Sequence, residues 1–492
     1  VSQATASQIR HDAVAAFANA FVVAALNRQV HERDSRWVAD SLADVVSALR
    51  TAFALGVEAP LALQFSDDRV CHDGEPLDGP SLQARALLRR CAERGVAMLA
   101  FQPGLDAAEC NRLFDLLLLR ANVEALAREN REAALSAFGV RNVGVMLRSV
   151  GDPTNRRAAI DPDTKALRHY QELAESLQDN HGRALRDLEL TIDEAAAAVE
   201  RTIADFDEPS HLLALATQDD VDRFTVGHSV RVALLALQVA RRLGHGRDEL
   251  VKVGSAALLH DIGKSKVPQE VLFKQGALDE AEWRAMAQHP RFGAQILLEQ
   301  KERVELSAVG AAFCHHMGAN GGGYPDAIVP VRPSGTSRLV RVCDVFEALT
   351  SIRPYKRALT PIEAYAVMSR DPHEFDRGWL RAFVRTIGFF PDGTRLRLAD
   401  GARAVVRSQT VCPERPVVQL LTGPDDAELA PGQPDHFTIG DVVEGRTLRV
   451  ATIETQERRV DVPELATELP AVLGAHACVP DALAKAATKP VG

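Results

Sequence analysis

The sequence is poor in aromatic residues, with 18 Phe, 4 Tyr and 3 Trp among 492 residues. Cysteine is sparse as well: there are seven, an odd number, and none stand in a CxxC spacing. That argues against a disulfide framework and for a reduced protein with small buried thiols, Cys314 and Cys343 lying in apolar helical contexts. A positive excess is also missing. The net charge is -10, which removes the basic footprint of a duplex nucleic-acid binder but leaves room for a local cluster that holds a small phosphate ligand. Long apolar runs are short too. The most apolar stretch, Ala15 to Leu26, falls below the roughly 18–20 residues that span a bilayer and is interrupted by Asn19. It has no charged leader and no clear cleavage site, so a core helix is expected there and not a signal peptide. What is present is a 46% hydrophobic, 25% charged chain rich in Ala and Leu. This balance leans towards a soluble, cytoplasmic, largely helical protein, with a length that suits roughly two to four domains.

The patterning predicts a multidomain α+β chain. Residues 1–150 read as a mixed α/β domain. Two helical segments precede LALQFSDDRVCHDGEPLDG, which alternates like a hairpin. A helix around Ser81 to Arg94, a strand at VAMLAF and a helix from Asp106 to Leu119 follow. No catalytic set is visible there, and His11, His31 and His72 read as surface or satisfied histidines. In the linker, 151–210, Leu185, Leu188, Ile192, Ala195, Val199 and Phe206 recur at a 3–4 spacing. They predict an amphipathic helix from Arg183 to Phe206, broken upstream by Asn180-His181-Gly182. It serves either as a dimerising, signal-transmitting helix or as a core helix of the adjoining domain. Residues 211–390 read as the next domain, and from Val221 to about Ile387 the pattern is helical throughout. A small β domain is expected over 391–470, starting with TRLRLADGARAVV across an Asp400-Gly401 turn, and 471–492 read as a tail.

The helical region carries the chemistry. In order come His228, His260-Asp261, His289, His315-His316 and Asp344, each on or at the end of a predicted helix with an apolar face. One buried polar residue is usually a satisfied core group. Five histidines and two aspartates on consecutive helices are not, because buried aspartates need cations. Imidazole nitrogen with carboxylate oxygen suits iron or manganese first, with zinc, cobalt or nickel as alternatives. Seven side chains exceed what one ion takes and suit two ions bridged by a carboxylate. Gly263 is expected to stop the His260 helix as a C-cap. Adjacent residues of a helix diverge by about 100°, so His315 and His316 converge only if the helix ends there. The glycine-rich run HHMGANGGGYP allows that end. Lys264, Arg353 and Lys356 are cations placed to hold phosphate oxygens. Two metals beside such cations imply in-line attack of an activated water on phosphorus.

HD, the HH run ending in GYP, HP and DVFEALTSIRPYK together resemble the HD-GYP family of bacterial metal-dependent cyclic di-GMP phosphodiesterases. The resemblance covers about His211 to Ile387, and IGFFPDGTRLRL resembles the segment that follows this domain in many members. It implies an all-helical HD-type fold and a binuclear centre acting on cyclic di-GMP, with pGpG or GMP as product. It implies that His228, His260, Asp261 and Asp344 hold one metal and Asp261, His289, His315 and His316 the other, Asp261 bridging. Lys264, with Asp261, takes a catalytic role, and Lys264, Arg353, Lys356 and Tyr324 contact substrate. The third-metal carboxylate of some members falls at Phe224, so two metals are expected. The family commonly reads HHExxDGxGYP; here Met317 removes a charge and Asn320 keeps the turn. The GYP loop is either a plain surface turn or a contact for partners such as diguanylate cyclases. A homodimer is expected.

Overall fold

The computed structural model describes residues 3–118, 135–147, 162–204 and 225–461, apart from 32, 67–68, 273, 275, 301, 327–330, 352–357, 372, 428, 430–434, 444 and 455–458. The chain divides into two compact units, Val1–Glu175 and Ser176–Gly492. Each mixes helix and strand.

The first unit opens with helices α1 (Gln3–Val30) and α2 (Arg36–Ala54). Strands β1 (Leu61–Phe65), β2 (Val70–His72) and β3 (Glu75–Pro76) follow, then α3 (Asp78–Gln83), α4 (Arg85–Glu93), β4 (Val96–Phe101), α5 (Ala107–Leu118) and β5 (Val143–Leu147). The sheet is antiparallel with order β3-β2-β1-β4-β5. Leu61, Leu63 and Phe65 alternate inward along β1, the period-two pattern of a half-buried strand. The scarce aromatics are spent here: Phe17 and Phe21 of α1 meet Phe101 edge-on at 4.9 and 5.2 Å. The expected helix over Ser81 to Arg94 is two helices, and β3 and β5 were not anticipated. Strand β5 pairs with β4 from over forty residues away, beyond the reach of local patterning.

Helix α1 corrects one expectation. Over Ser7–Gln29 it is long and apolar enough, by length and composition, to cross a membrane. The run is longer than it looked because alanines continue the helix on both sides of Asn19. Its Phe17, Phe21, Val22 and Ala25 pack into the core of the first unit.

The second unit contains α7 (Ile192–Ala204), α8 (Thr225–Arg242), α9 (Arg247–Leu258), a 3-10 turn at Ile262–Lys266, α10 (Gln269–Leu272) and α11 (Glu280–Met286). Then come α12 (His289–Leu298), α13 (Leu306–Cys314), α14 (Gly335–Thr350), α15 (Pro361–Met368) and α16 (Arg377–Ile387). The division between the units falls inside α6 (Pro162–Leu185). Helix α8 is buried on all sides from Val230 to Ala240, as the central helix of a bundle must be, and packs on α9, α14 and α16. The last described part of this unit is an antiparallel six-stranded sheet built from β6 (Arg395–Leu398), β7 (Arg403–Ser408), β8 (Val417–Leu420), β9 (His436–Thr438), β12 (Val450–Glu454) and β13 (Arg459–Asp461). Its order is β13-β12-β6-β7-β8-β9, with β10 (Val442–Val443) and β11 (Arg446–Thr447) forming a separate ribbon. Gly401 takes φ +85° in the turn between β6 and β7, where a side chain would be strained. The expected tail, 471–492, lies outside the described residues.

The linker helix differs from its prediction. Helix α6 runs through Asn180-His181-Gly182 and ends at Leu185; α7 starts at Ile192. The amide of Leu188 donates to Arg183 and that of Asp187 to Ala184, with Asp187 at φ +55°, which is a Schellman ending with Asp in the position glycine usually takes. Asn180 stays helical and accepts from the Thr191 amide, fastening the start of the next segment. The seam is therefore not continuous. Leu188 is 49% exposed, while Ile192, Ala195 and Val199 are buried within this unit. Phe206 lies outside the described residues. The thiols also need one correction. Cys71, Cys91, Cys110, Cys314 and Cys343 are free, but Cys412 is disulfide-bonded.

Candidate metal centre

Five helices and one turn deliver the polar cluster. His228 lies in the first turn of α8, His260 and Asp261 just past the end of α9, and His289 at the start of α12. His315 caps α13, His316 follows it, and Asp344 sits on α14. All but His316 are at least nine-tenths buried. The approach depends on Gly263. A Cβ there would lie 2.0 Å from the His289 carbonyl oxygen and 2.3 Å from the Gly293 amide. Gly263 is thus not the expected C-cap; α9 closes at Leu259, and the bare Cα lets the 3-10 turn press against α12.

Asp261 lies between two groups of histidines. Its Oδ2 is 3.6 Å from His228 Nε2 and 3.4 Å from His260 Nε2, and its Oδ1 is 3.3 Å from His289 Nε2 and 3.5 Å from His315 Nε2. Two sets, His228–His260–Asp261 and His289–His315–His316, each bring their ligand atoms within 4.8 Å of one another. Asp344 joins them from the other side, with Oδ1 3.1 Å from His228 Nε2 and Oδ2 4.0 Å from His316 Nδ1. His315 and His316 converge after the helix ends, their ring centres 4.1 Å apart.

The rings are held in one orientation. His260 Nδ1 faces the Ala257 carbonyl at 2.7 Å, His289 Nδ1 the Met286 carbonyl at 2.7 Å, and His315 Nδ1 the Ala312 carbonyl at 2.9 Å. A carbonyl only accepts, so each Nδ1 carries the proton and each Nε2 offers a lone pair. His289 Nε2 and His315 Nε2 then stand 3.1 Å apart with no proton for that contact. His260 Nε2 and Asp261 Oδ1 are buried without a hydrogen-bond partner. Facing lone pairs and an unsatisfied buried carboxylate oxygen are costly unless a cation sits among them. These groups could hold a metal ion.

Electrostatics agrees. Burial holds His289 down at about 3, with the neighbouring His315 adding to this, and burial likewise keeps His316 neutral. Asp261 stays ionised despite burial because Lys264 and His260 lie beside it, Lys264 Nζ at 2.5 Å. His228 is the exception: burial opposes its charged form, but Glu347 and Asp344 outweigh it and raise the ring to about 9, so a metal taking its Nε2 would displace a proton. Glu347 was missed by sequence reading. It accepts from His228 Nδ1 and from Arg231, so it fixes this ring as carbonyls fix the others. The signal was its place one turn after Asp344 on the same helix face.

Tyr324 stacks on His316 at 4.5 Å between ring centres. Arg353, Lys356 and Phe224 lie outside the described residues. The loop between His316 and Tyr324 is tightly determined: Gly323, at φ +91°, could not carry a Cβ, which would lie 2.3 Å from the His316 carbonyl oxygen. Asn320 Oδ1 accepts from the Gly322 amide, the turn contact its aspartate counterpart would also make. Met317 is buried.

The family comparison falls on this same segment. The family model described as HD domain matches residues 207–378. A cyclic di-GMP phosphodiesterase of Pseudomonas aeruginosa is 37% identical over 44% of this chain and 51% of its own length. A 3'3'-cGAMP-specific phosphodiesterase of Vibrio cholerae is 36% identical over 34% of this chain and 36% of its own. A cyclic di-GMP phosphodiesterase response regulator of Xanthomonas campestris is 40% identical over 28% and 36%. The chain thus spans between about a third and a half of the length of these relatives. Residues 207–378 are similar to the HD domain, and the histidine and aspartate motifs that carry the HD-GYP resemblance fall within that segment.

Proposed function

We propose that this chain is a metal-dependent phosphodiesterase that hydrolyses cyclic di-GMP to pGpG or GMP, using two transition-metal ions of which iron or manganese suit the donor set best. The observation that carries this is Asp261, one of whose oxygens faces each histidine group. His228, His260, Asp261 and Asp344 would hold one ion and Asp261, His289, His315 and His316 the other. Bound there, two such ions supply Lewis acidity and a nucleophile at neutral pH. The chain does the rest. Glu347 and the backbone carbonyls aim the imidazoles. Lys264, paired with Asp261 at 2.5 Å, would turn to a phosphate oxygen when substrate binds. Arg353 and Lys356 bind substrate phosphate and not metal. Burial keeps bulk water from competing for the ligand atoms. The N-terminal 150 residues act as a regulatory or partner domain of a soluble homodimer, and the loop before Tyr324 offers a contact to a diguanylate cyclase.

The test is turnover of cyclic di-GMP by protein purified anaerobically, with metal content measured alongside. Two equivalents of metal and linear product support the proposal. Binding without turnover in metal-replete protein would favour a nucleotide-binding scaffold. A second substrate has a specific observation behind it, since a relative named as a 3'3'-cGAMP-specific phosphodiesterase is 36% identical over 34% of this chain; competition between the two dinucleotides decides the preference. Arg353→Ala and Lys356→Ala should each lower kcat/KM by about one to two decades, the scale of a charge-assisted hydrogen bond, with metal content unchanged. Loss of metal in these variants would reverse the division of roles.

A further inference from the structure

Ring contacts lead from the histidines out to solvent. His316 stacks on Tyr324 at 4.5 Å and 21°, and Tyr324 meets Trp283 at 5.5 Å and 75°. Trp283, on α11, is 49% exposed although it is the largest apolar side chain near the site. A near-perpendicular pair engages only part of each ring surface, so the indole keeps area to offer. Its platform is fixed. Asp279 and Glu282 form a capping box under α11, Lys274 holds Glu282 at 2.5 Å, and Arg284 pairs with Glu280 at 3.0 Å. The nearby charges are thereby engaged with one another. Arg291 donates to the Asp326 carbonyl and anchors the chain just beyond Tyr324.

We infer that Trp283 is a specificity-determining residue of this site: its open surface stacks a purine base of a nucleotide whose phosphate lies among the histidines. The inference rests on the phosphodiesterase reading above and deepens it. Every purine has a π face, so stacking selects nucleotides over phosphodiesters without a base and is tolerant of which purine is present. Trp283 would therefore act on cyclic di-GMP and on 3'3'-cGAMP alike.

The test uses the metal-loaded full chain with two substrates, cyclic di-GMP and its abasic analogue, in which hydrogen replaces both guanines. Trp283→Ala should raise KM for cyclic di-GMP roughly tenfold while turnover of the abasic analogue and metal content stay within about twofold. Trp283→Phe, which keeps an aromatic face, should restore most of the loss. An equal loss on both substrates would overturn the inference, since Trp283 would then only prop Tyr324; no change on either would overturn it too. If the wild type cleaves the abasic analogue but not cyclic di-GMP, the substrate reading fails by itself. Stacking is then read by titrating tryptophan fluorescence with cyclic di-GMP. Quenching that disappears in Trp283→Phe supports it, and quenching unchanged in that variant, or absent from the wild type, overturns it.

Discussion

Glu109 and Asp261 are both buried carboxylates, and their surroundings could hardly differ more. Glu109, on α5, accepts from the amides of Arg141 and Asn142 and from the Asn142 side chain at 2.8 Å. Its hydrogen bonds tie two segments of the first unit together and give each of its oxygens a donor. Asp261 has Lys264 on one oxygen, while the other is buried without a hydrogen bond and faces imidazole lone pairs. A buried polar group whose bonds all close within the protein is structure. One that the fold keeps open, at a cost in stability, is a place for something else to bind.

The largest effect follows from that contrast. Asp261→Ala removes the group placed between both histidine sets, so it should strip metal from both and abolish hydrolysis while the protein still folds. Glu109→Gln should do the opposite. It sets an amide donor against the donors that Glu109 now satisfies, costing about 1–3 kcal/mol of stability, with metal content unchanged. Elemental analysis together with thermal unfolding separates them. Unaltered metal stoichiometry in Asp261→Ala would break the comparison and the bridging assignment together.

Next is Gly263→Ala, which tests placement and not chemistry. The added methyl meets backbone atoms of His289 and Gly293, which cannot turn aside as a side chain would. The turn must retreat from α12, taking Asp261 away from His289 and His315. Overpacking of this kind costs about 1–3 kcal/mol, and a displacement of about 1 Å can cost roughly 100-fold in rate. A variant with wild-type kinetics would show that Asp261 does not need this close approach.

Much of the centre was legible because its members are chemically conspicuous: histidines and aspartates at the ends of apolar helices, followed by a run of glycines. The turn at Asp400-Gly401 was legible for the same reason, since only a few residues make it cheaply. What stayed hidden depends on meetings in space. Gly263 looked like a helix stop because glycine often is one, and nothing in its neighbours announces His289 pressing against it. Glu347, one turn after Asp344, was not singled out, because His228 and Arg231 close on it only in the fold. The end of α6 was missed because aspartate stands in the left-handed position where glycine would have signalled it. Strand β5 has no local partner to reveal it.

Glu347 is the intermediate case, satisfied like Glu109 but touching a ligand like Asp261. Glu347→Gln keeps the shape and removes the charge that orients His228. Loss of such an outer partner lowers metal affinity by about 10–100-fold, so competition with a chelator should show a weaker site. Arg231 would also lose its buried counter-charge, which puts a drop of about 3–5 kcal/mol within range. Weakened stability with unchanged metal affinity would place Glu347 with Glu109, as structure only.

The smallest effect is expected at Leu188, where the same distinction applies to apolar groups. A continuous seam through Leu188 and Ile192 would have made both equally sensitive to charge. The break between α6 and α7 separates them: Leu188 is half exposed and Ile192 is buried against its own unit. Leu188→Asp should therefore change stability by no more than about 0.5 kcal/mol, as surface substitutions do, whereas Ile192→Asp should cost several kcal/mol by burying an unpaired charge. Light scattering on Leu188→Asp adds the decisive reading. If the wild type is a dimer and this variant stays one, Leu188 lies off the dimer contact and any relay from the first unit runs elsewhere. A variant that turns monomeric at wild-type stability would show that a partner copy covers Leu188, restoring through assembly the seam that a single chain interrupts.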